Sequence, residues 1–308
     1  MRILVTGVSG YVGAALVPRL HAAGHPVRGF ARSRERVAAA GTVLEDLVTG
    51  DALTGVGLEE ALDGIEVAYY LMHSMAGPSQ RDFPAQELMS ARRFARAARR
   101  AGVRRIVYLG GLLPAEVEPS RHLGSRLAVE RELLAAAPES IAFRASIVIA
   151  ARSRSFRFLV RLVERMPVMT LPAWRDNRTR PIDGRDVLDF LARAADAPAP
   201  LGGRSWDVAG PETMSYAELI SGIADVMMID RPSLSLGFTL TPVAAVIAAA
   251  VTGEDAGLVG PLMESLEHDL LPRDDSAAEA FGVRLHGFRS AVERALRDWE
   301  LDPGPAVR

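Results

Sequence analysis

The chain has 308 residues, 49% hydrophobic and 24% charged, with a formal charge of −2 from 36 basic and 38 acidic residues. That balance fits an ordinary folded protein, long enough for one large α/β unit or a nucleotide domain with an appendage, and it exerts no global pull toward nucleic acid or an anionic membrane. Cysteine is absent, which excludes disulfides, thiolate catalysis and cysteine-based metal sites and suits a reducing compartment.

The first apolar run, Ile3-Leu4-Val5, reads as a buried strand, Thr6-Gly7 as a turn and residues 11–22 as a helix. Strands are expected over 26–31, 45–49, 67–71 and 105–109, with helices over 34–40, 58–62 and 83–101 between them and Gly102 as a stop. A helix over 123–137, a sixth strand over 141–144 and a helix over 156–164 follow. Such alternation builds a parallel sheet covered on both faces, a doubly wound Rossmann α/β fold spanning residues 1–165. From Met166 the texture changes, with Pro167, Pro172 and Pro181 punctuating shorter elements. Here the pattern predicts a helix over 186–195, a strand over 205–208 and a helix over 216–227 in which Ser215 and Glu218 have capping-box spacing. Helices over 241–251, 258–268 and 289–300 complete a smaller, mostly helical C-terminal lobe over 166–308, interleaved with the first portion. The N-terminal strand leaves no room for a cleaved signal peptide, and the apolar stretch 240–251 is too short for a stable membrane span, so a cytoplasmic protein is expected.

Gly7, Gly10 and Gly13 directly follow the first strand, and each has a mechanical role. Gly7 permits the tight turn, Gly10 lets the backbone approach a pyrophosphate, and Gly13 lets the helix lie close on the strand. The segment Ser9-Gly10-Tyr11-Val12-Gly13 then presents a helix N-terminus to the anion. In NAD-binding units an acid about 20 positions further on bonds the ribose 2′-hydroxyl. The second strand ends here in Arg32-Ser33-Arg34, two guanidinium groups and a hydroxyl suited to a 2′-phosphate, so NADP(H) is expected in preference to NAD(H). Asp51 and Ala52, after the third strand, are expected beside the adenine; Asp51 either accepts its amine or caps the turn before Leu53. Leu71, Met72 and His73 close the fourth strand, where strand ends face the nicotinamide.

The runs TGVSGYVG, Gly50-Asp51 and IVYLGG resemble the short-chain dehydrogenase/reductase superfamily in its extended or atypical branch. More narrowly, AYYLMHSM (68–75) and FRASIVI (143–149) are similar to the NmrA-like and YbjT-like NAD(P)H-binding proteins. The resemblance implies a Tyr-x-x-x-Lys pair on the helix after the fifth strand and a serine or threonine at that strand's end. This chain departs from the pattern: His122 stands in the tyrosine's place, Arg126 in the lysine's, and Gly110-Gly111-Leu112-Leu113 supply no hydroxyl. Arg126 keeps a positive charge near the ribose but does not relay a proton. His122 is either an acid titrating in the useful range or a surface histidine. His73, followed by Ser74, is better placed than Tyr69 or Tyr70 and ranks first as proton donor. The remaining alternative is binding without turnover.

Arg144 ends the sixth strand, where it contacts an acidic substrate or the cofactor ribose, or pairs with an internal carboxylate. Asp186 is expected to cap its helix. Arg92, Arg93, Arg96, Arg99 and Arg100 stripe one helix as a solvated face, without the aromatic interleaving of a nucleic-acid reader. The six histidines are scattered and form no metal-ligand pair. The expected activity is hydride transfer by an NADP(H)-binding atypical short-chain reductase to a small carbonyl or quinone-like acceptor. A non-catalytic NAD(P)H-binding redox sensor and an epimerase- or dehydratase-like enzyme are the alternatives, and a homodimer is compatible with either.

Overall fold

The computed structural model describes residues 1–72, 83–235, 260, 263 and 266–301. Its first half alternates as the sequence predicts: β1 (Ile3–Thr6), α1 (Tyr11–Ala22), β2 (Val27–Ala31), α2 (Arg34–Ala39), β3 (Asp46–Thr49), α3 (Leu58–Leu62), β4 (Val67–Tyr70), α4 (Phe83–Arg100), β5 (Arg105–Gly111), α5 (Arg121–Leu134) and β6 (Ile141–Ala145). There follow β7 (Val148–Ile149), α6 (Arg154–Arg165), β8 (Met169–Leu171), β9 (Arg178–Thr179), β10 (Ile182–Asp183), α7 (Gly184–Ala194), β11 (Arg204–Val208), β12 (Met214–Ser215), α8 (Tyr216–Val226), β13 (Ser233–Ser235), α9 (Ser276–Phe281) and α10 (Phe288–Leu301).

Seven strands form one parallel sheet in the order β11-β6-β5-β4-β1-β2-β3. Because side chains alternate across a strand, each strand feeds two cores. Ile3, Val5, Val67, Tyr69, Val107 and Phe143 meet α1 and α7 on one face. Leu4, Ala68, Tyr70, Ile106, Tyr108 and Ala142 meet α3, α4 and α5 on the other. Both faces being covered is why the strands read as unbroken apolar runs. A third core joins α6, α8 and α10 around Phe156, Leu219, Ile223 and Val292, and it forms the helical C-terminal portion.

The seventh strand comes from the second portion of the chain, since β11 pairs with β6 from Arg204↔Ile141 to Val208↔Ala145. The portions are therefore interleaved in the sheet itself. The cation of Arg105, wholly buried at the start of β5, is held at the C-terminus of α7. It donates to the carbonyls of Ala194 (2.7 Å), Ala195 (2.8 Å) and Ala197 (2.5 Å) and to the Glu139 carboxylate (2.6 Å). Orphan carbonyls at a helix end favour a cation, which makes this charge tolerable inside.

Two expectations are corrected. β5 continues to Gly111 because Gly110 and Gly111 pair with Arg144 and Ala145 of β6. The cap of α7 is Asp183, which accepts the Arg185 N–H at 2.7 Å. Asp186 lies in the first turn of that helix and instead accepts from the His286 backbone N–H (2.8 Å) and pairs with its ring nitrogen Nδ1 (2.5 Å). α9 and the two-residue strands carried no periodic signal in the sequence. The helix expected over 241–251 lies outside the described residues, as does most of that over 258–268.

Candidate nucleotide site

The site is built where the crossovers diverge, between β1 and β4, the switch point at which open α/β sheets bind ligands. Thr6 ties these two strand ends together: its hydroxyl donates to Tyr69 O (2.9 Å) and accepts the Leu71 N–H (3.1 Å). Gly7 then turns with φ +70°, and a Cβ there would stand 2.6 Å from Leu71 O. Gly10 donates its N–H to Gly7 O at 2.8 Å, and a Cβ at Gly13 would stand 2.5 Å from the same oxygen. So Gly7 and Gly13 are required by the backbone before any ligand is considered, while a Cβ at Gly10 would stand a tight 3.2 Å from Gly7 O. α1 begins with Gly10 as N-cap, without a side-chain cap and without an acid in its first turn. The first-turn amides of Tyr11, Val12 and Gly13 have no carbonyl partner within the helix, and Ser9 and Gly10 are exposed beside them. That open, glycine-lined cradle at a positive helix end fits a pyrophosphate.

Around the cradle the predicted residues divide. Tyr11 turns its ring away toward α7, where a Cβ on Gly184 would lie 2.8 Å from its hydroxyl oxygen; burial, helped by Asp183, pushes that phenol up to about 12. Leu71 is buried and Met72 half-buried at the end of β4, whereas His73 and Ser74 lie outside the described residues. Tyr69 and Tyr70 are core: Tyr69 donates to Leu191 O (2.7 Å), and Tyr70 stacks edge-on with Phe94 at 5.1 Å. Arg32 is exposed and makes no ion pair among the described residues, while Arg34 donates to Leu47 O at 2.9 Å. Ser33 caps α2. Asp51 accepts the Leu53 N–H at 2.8 Å, capping that turn, and Ala52 is buried beside it.

His122, Arg126 and Glu130 stand four apart on α5 and share one face. Burial, reinforced by the Arg126 charge, pushes the His122 imidazole down to about 4. The Arg126 carbonyl accepts from the Tyr108 hydroxyl (3.4 Å), a phenol raised by burial to about 12. Two contacts fix the rotation of this helix. Ser125 donates to the buried Glu87 carboxylate on α4 (2.7 Å). Glu130 is gripped by Arg144 through Nε–Oε2 (2.9 Å) and Nη2–Oε1 (2.6 Å). Arg144 also lies 4.0 Å from Asp207 of β11, which in turn holds Arg273 at 2.8 Å. Of the roles open to Arg144, the structure shows the internal ion pair. Glu87 and Asp207 went unnoticed in the sequence because their partners are distant in the chain.

No hydroxyl follows β5, and the strand is crowded there: a Cβ at Gly110 would stand 3.0 Å from the Tyr108 ring and one at Gly111 3.2 Å from Leu123. The arginines of α4 lie on its outer side, with Arg92 bonded to Glu132 (2.8 Å) and Arg99 to Ala135 O (3.0 Å). A cavity of about 600 Å³ borders α1 on the side of Val17, His21, Thr42 and Val43, away from the strand ends that form the cradle. Among the described residues no helix is long and apolar enough to cross a membrane.

This strand order, with a glycine turn at its switch point and a bare helix N-terminus, is that of a doubly wound Rossmann α/β fold. Residues 7–138 match the family described as NAD(P)H-binding. Sterol demethylase protein B of Methylococcus capsulatus is 37% identical over 124 residues, 39% of this chain and 37% of that protein. A 3-beta-hydroxysteroid dehydrogenase of Mycolicibacterium neoaurum is 34% identical over 116 residues, 35% of this chain and 31% of that one. The chain thus spans about a third of the length of these curated relatives. Among solved structures, a UDP-glucose 4-epimerase of Thermotoga maritima with UDP-glucose has TM-score 0.74 at 12% identity, covering 99% of this chain and 100% of that one. A nucleoside-diphosphate-sugar epimerase of Staphylococcus aureus has TM-score 0.75 at 14% identity, covering 95% and 100%. Residues 7–138 are thus similar to an NAD(P)H-binding family, within a Rossmann-like α/β fold shared with these solved structures.

Proposed function

We propose that this protein is an NADP(H)-dependent reductase acting on a quinone-like or other small carbonyl acceptor. The observation that carries the nucleotide half is the cradle, in which Gly7 and Gly13 leave no room for a side chain and Gly10 keeps an uncapped helix N-terminus open. Arg32, exposed at the tip of β2 without an ion-pair partner among the described residues, favours a 2′-phosphate. When bound, a reduced nicotinamide supplies a hydride. The residues on α5 then bear on the acceptor. At neutral pH His122 is a neutral imidazole, able to donate one hydrogen bond but carrying no spare proton. Arg126 contributes fixed positive charge, which stabilises an oxyanion without protonating it. Such a site serves an acceptor whose reduced oxyanion is weakly basic, as in a quinone, where the remaining proton comes from solvent. An alkoxide from a simple ketone would need a nearby acid.

The lack of a proton donor on α5 among the described residues favours a second reading, a redox sensor that binds NAD(P)H without turnover; it equally disfavours epimerase or dehydratase chemistry. Titration with NADPH, NADP, NADH and NAD by fluorescence, followed by loss of reduced-nicotinamide absorbance with quinones, aldehydes and steroid ketones, separates them. Steroid ketones belong in the set because the curated relatives are named for steroids. Consumption with quinones supports the reductase. Tight binding without consumption across all acceptors selects the sensor, and no binding of any nucleotide removes both.

A further inference from the structure

Two buried donors in the C-terminal portion, Trp174 Nε1 and the Tyr216 hydroxyl, stand without a hydrogen-bond partner among the described residues. Trp174, in a short 3₁₀ turn (Ala173–Asp176), is 7% exposed, and Tyr216, the first residue of α8, is 1% exposed. Their rings pack edge-on at 6.1 Å and 87° within the third core, among Phe156, Met169, Leu219 and Ile220. Elsewhere the chain satisfies such groups: Trp206 donates to Leu201 O (3.0 Å), Tyr69 to Leu191 O (2.7 Å) and Tyr108 to Arg126 O (3.4 Å). A buried donor without its hydrogen bond costs free energy, so two of them side by side point to a ligand that completes them.

Position and chemistry narrow what that ligand is. The Tyr216 hydroxyl faces Thr179 of β9, whose Oγ1 lies 3.2 Å from Ser146 Oγ. Ser146 directly follows β6, and Leu112, directly after β5, donates to Ala145 O at 3.1 Å. These contacts lead from the carboxyl edge of the sheet, where open α/β folds hold ligands, to the two rings. An indole N–H only donates, and burial pushes the Tyr216 phenol up, so it stays protonated and donates as well. The carboxylate that bears on this phenol, Asp269, is bonded to Arg178 at 2.7 Å. A partner suited to this aromatic corner in an aliphatic shell supplies oxygen lone pairs on a flat apolar body.

We propose that Trp174 and Tyr216 are the specificity-determining donors of an acceptor pocket reaching into the C-terminal portion, where the carbonyl oxygens of a planar apolar molecule of quinone class accept from Trp174 Nε1 and the Tyr216 hydroxyl. The acceptor role rests on the reductase reading above.

Menadione, a naphthoquinone, and methylnaphthalene, which lacks the carbonyls, are the probes. Calorimetry on NADP-loaded protein, which has no hydride to give, compares wild type with Tyr216→Phe and Trp174→Phe. Each variant keeps an aromatic ring and removes one donor, so menadione is expected to bind about two- to tenfold more weakly in each, with methylnaphthalene indifferent to the change. Tyr216→Phe removes an unpaired hydroxyl, so its denaturation midpoint should match or exceed that of wild type, which keeps the test decisive if Trp174→Phe folds poorly. Equal menadione affinity in wild type and Tyr216→Phe, or no menadione binding by wild type, overturns the proposal; NADPH consumption with other carbonyl acceptors would then still uphold the reductase reading. Binding that depends on both donors, without consumption of NADPH, upholds the pocket and overturns the reductase reading.

Discussion

His122 connects the chemistry of one side chain to the pH response of the protein. Its imidazole titrates at 6.5 in an unfolded chain and at about 4 here, because burial and the Arg126 charge oppose protonation. Between those values the unfolded chain binds a proton that the folded one refuses, so stability is fully present above pH 6.5 and declines as pH falls toward 4. The change is at most about 3 kcal/mol. Denaturation midpoints across that window should show the decline in wild type and a flatter profile in His122→Gln; parallel profiles would refute it. Arg144 makes a different demand. Both it and Glu130 are buried, so Arg144→Ala strands a carboxylate and should cost about 3–5 kcal/mol in chemical denaturation. The double variant Arg144→Met/Glu130→Met should recover most of that loss. From sequence, Arg144 was one candidate among several, because Glu130 and Asp207 reach it only through the sheet.

At the scale of elements, the glycine turn was legible because its requirements are local. A strand, a turn with positive φ and a helix N-terminus follow within thirteen residues, and each glycine answers a backbone oxygen. Gly7→Ala meets both the strained φ and Leu71 O, and Gly13→Ala meets Gly7 O at 2.5 Å. Either variant should weaken NADPH binding at least tenfold in fluorescence titration. Gly24→Ala is the informative control: its φ of +82° is equally strained, but a Cβ there meets nothing within 4 Å, so it should lose stability and keep affinity. The capping box of α8 was legible for the same reason, Ser215 and Glu218 being three residues apart and bonded reciprocally. The pairs β7–β10 and β9–β12 were not. Two-residue strands have no period to read, and their partners are 34 and 35 positions away in the register Ile182↔Val148 and Met214↔Thr179. The α7 cap was misread for a related reason: Asp183 and Asp186 both suit an N-terminus, and His286, far along the chain, decides which one caps.

For the whole molecule, the boundary suggested by the change in texture near Met166 meets a sheet that crosses it. Sequence shows where composition shifts, but a parallel strand can return to its sheet after a long excursion without leaving a local mark. β11 does so, covering β6, while α7 lays Val187, Leu188, Phe190 and Leu191 on the core beneath β1, β4 and β5. A fragment of residues 1–165 would lose both. It would expose the β6 edge, uncover Phe143, deprive Arg105 of the carbonyls of Ala194, Ala195 and Ala197, and leave Arg144 without Asp207. Arg105 would keep only Glu139, and losing its three carbonyl partners together with the apolar cover of α7 and β11 costs an amount comparable with the entire stability of an ordinary domain. The fragment is therefore expected to show no cooperative thermal transition by circular dichroism and no nucleotide binding, although it contains every residue of the glycine cradle. A chain carried through residue 301 should show both. A cooperative, NADPH-binding 1–165 fragment would mean that the first six strands suffice, and that β11 and α7 attach to a nucleotide domain already complete.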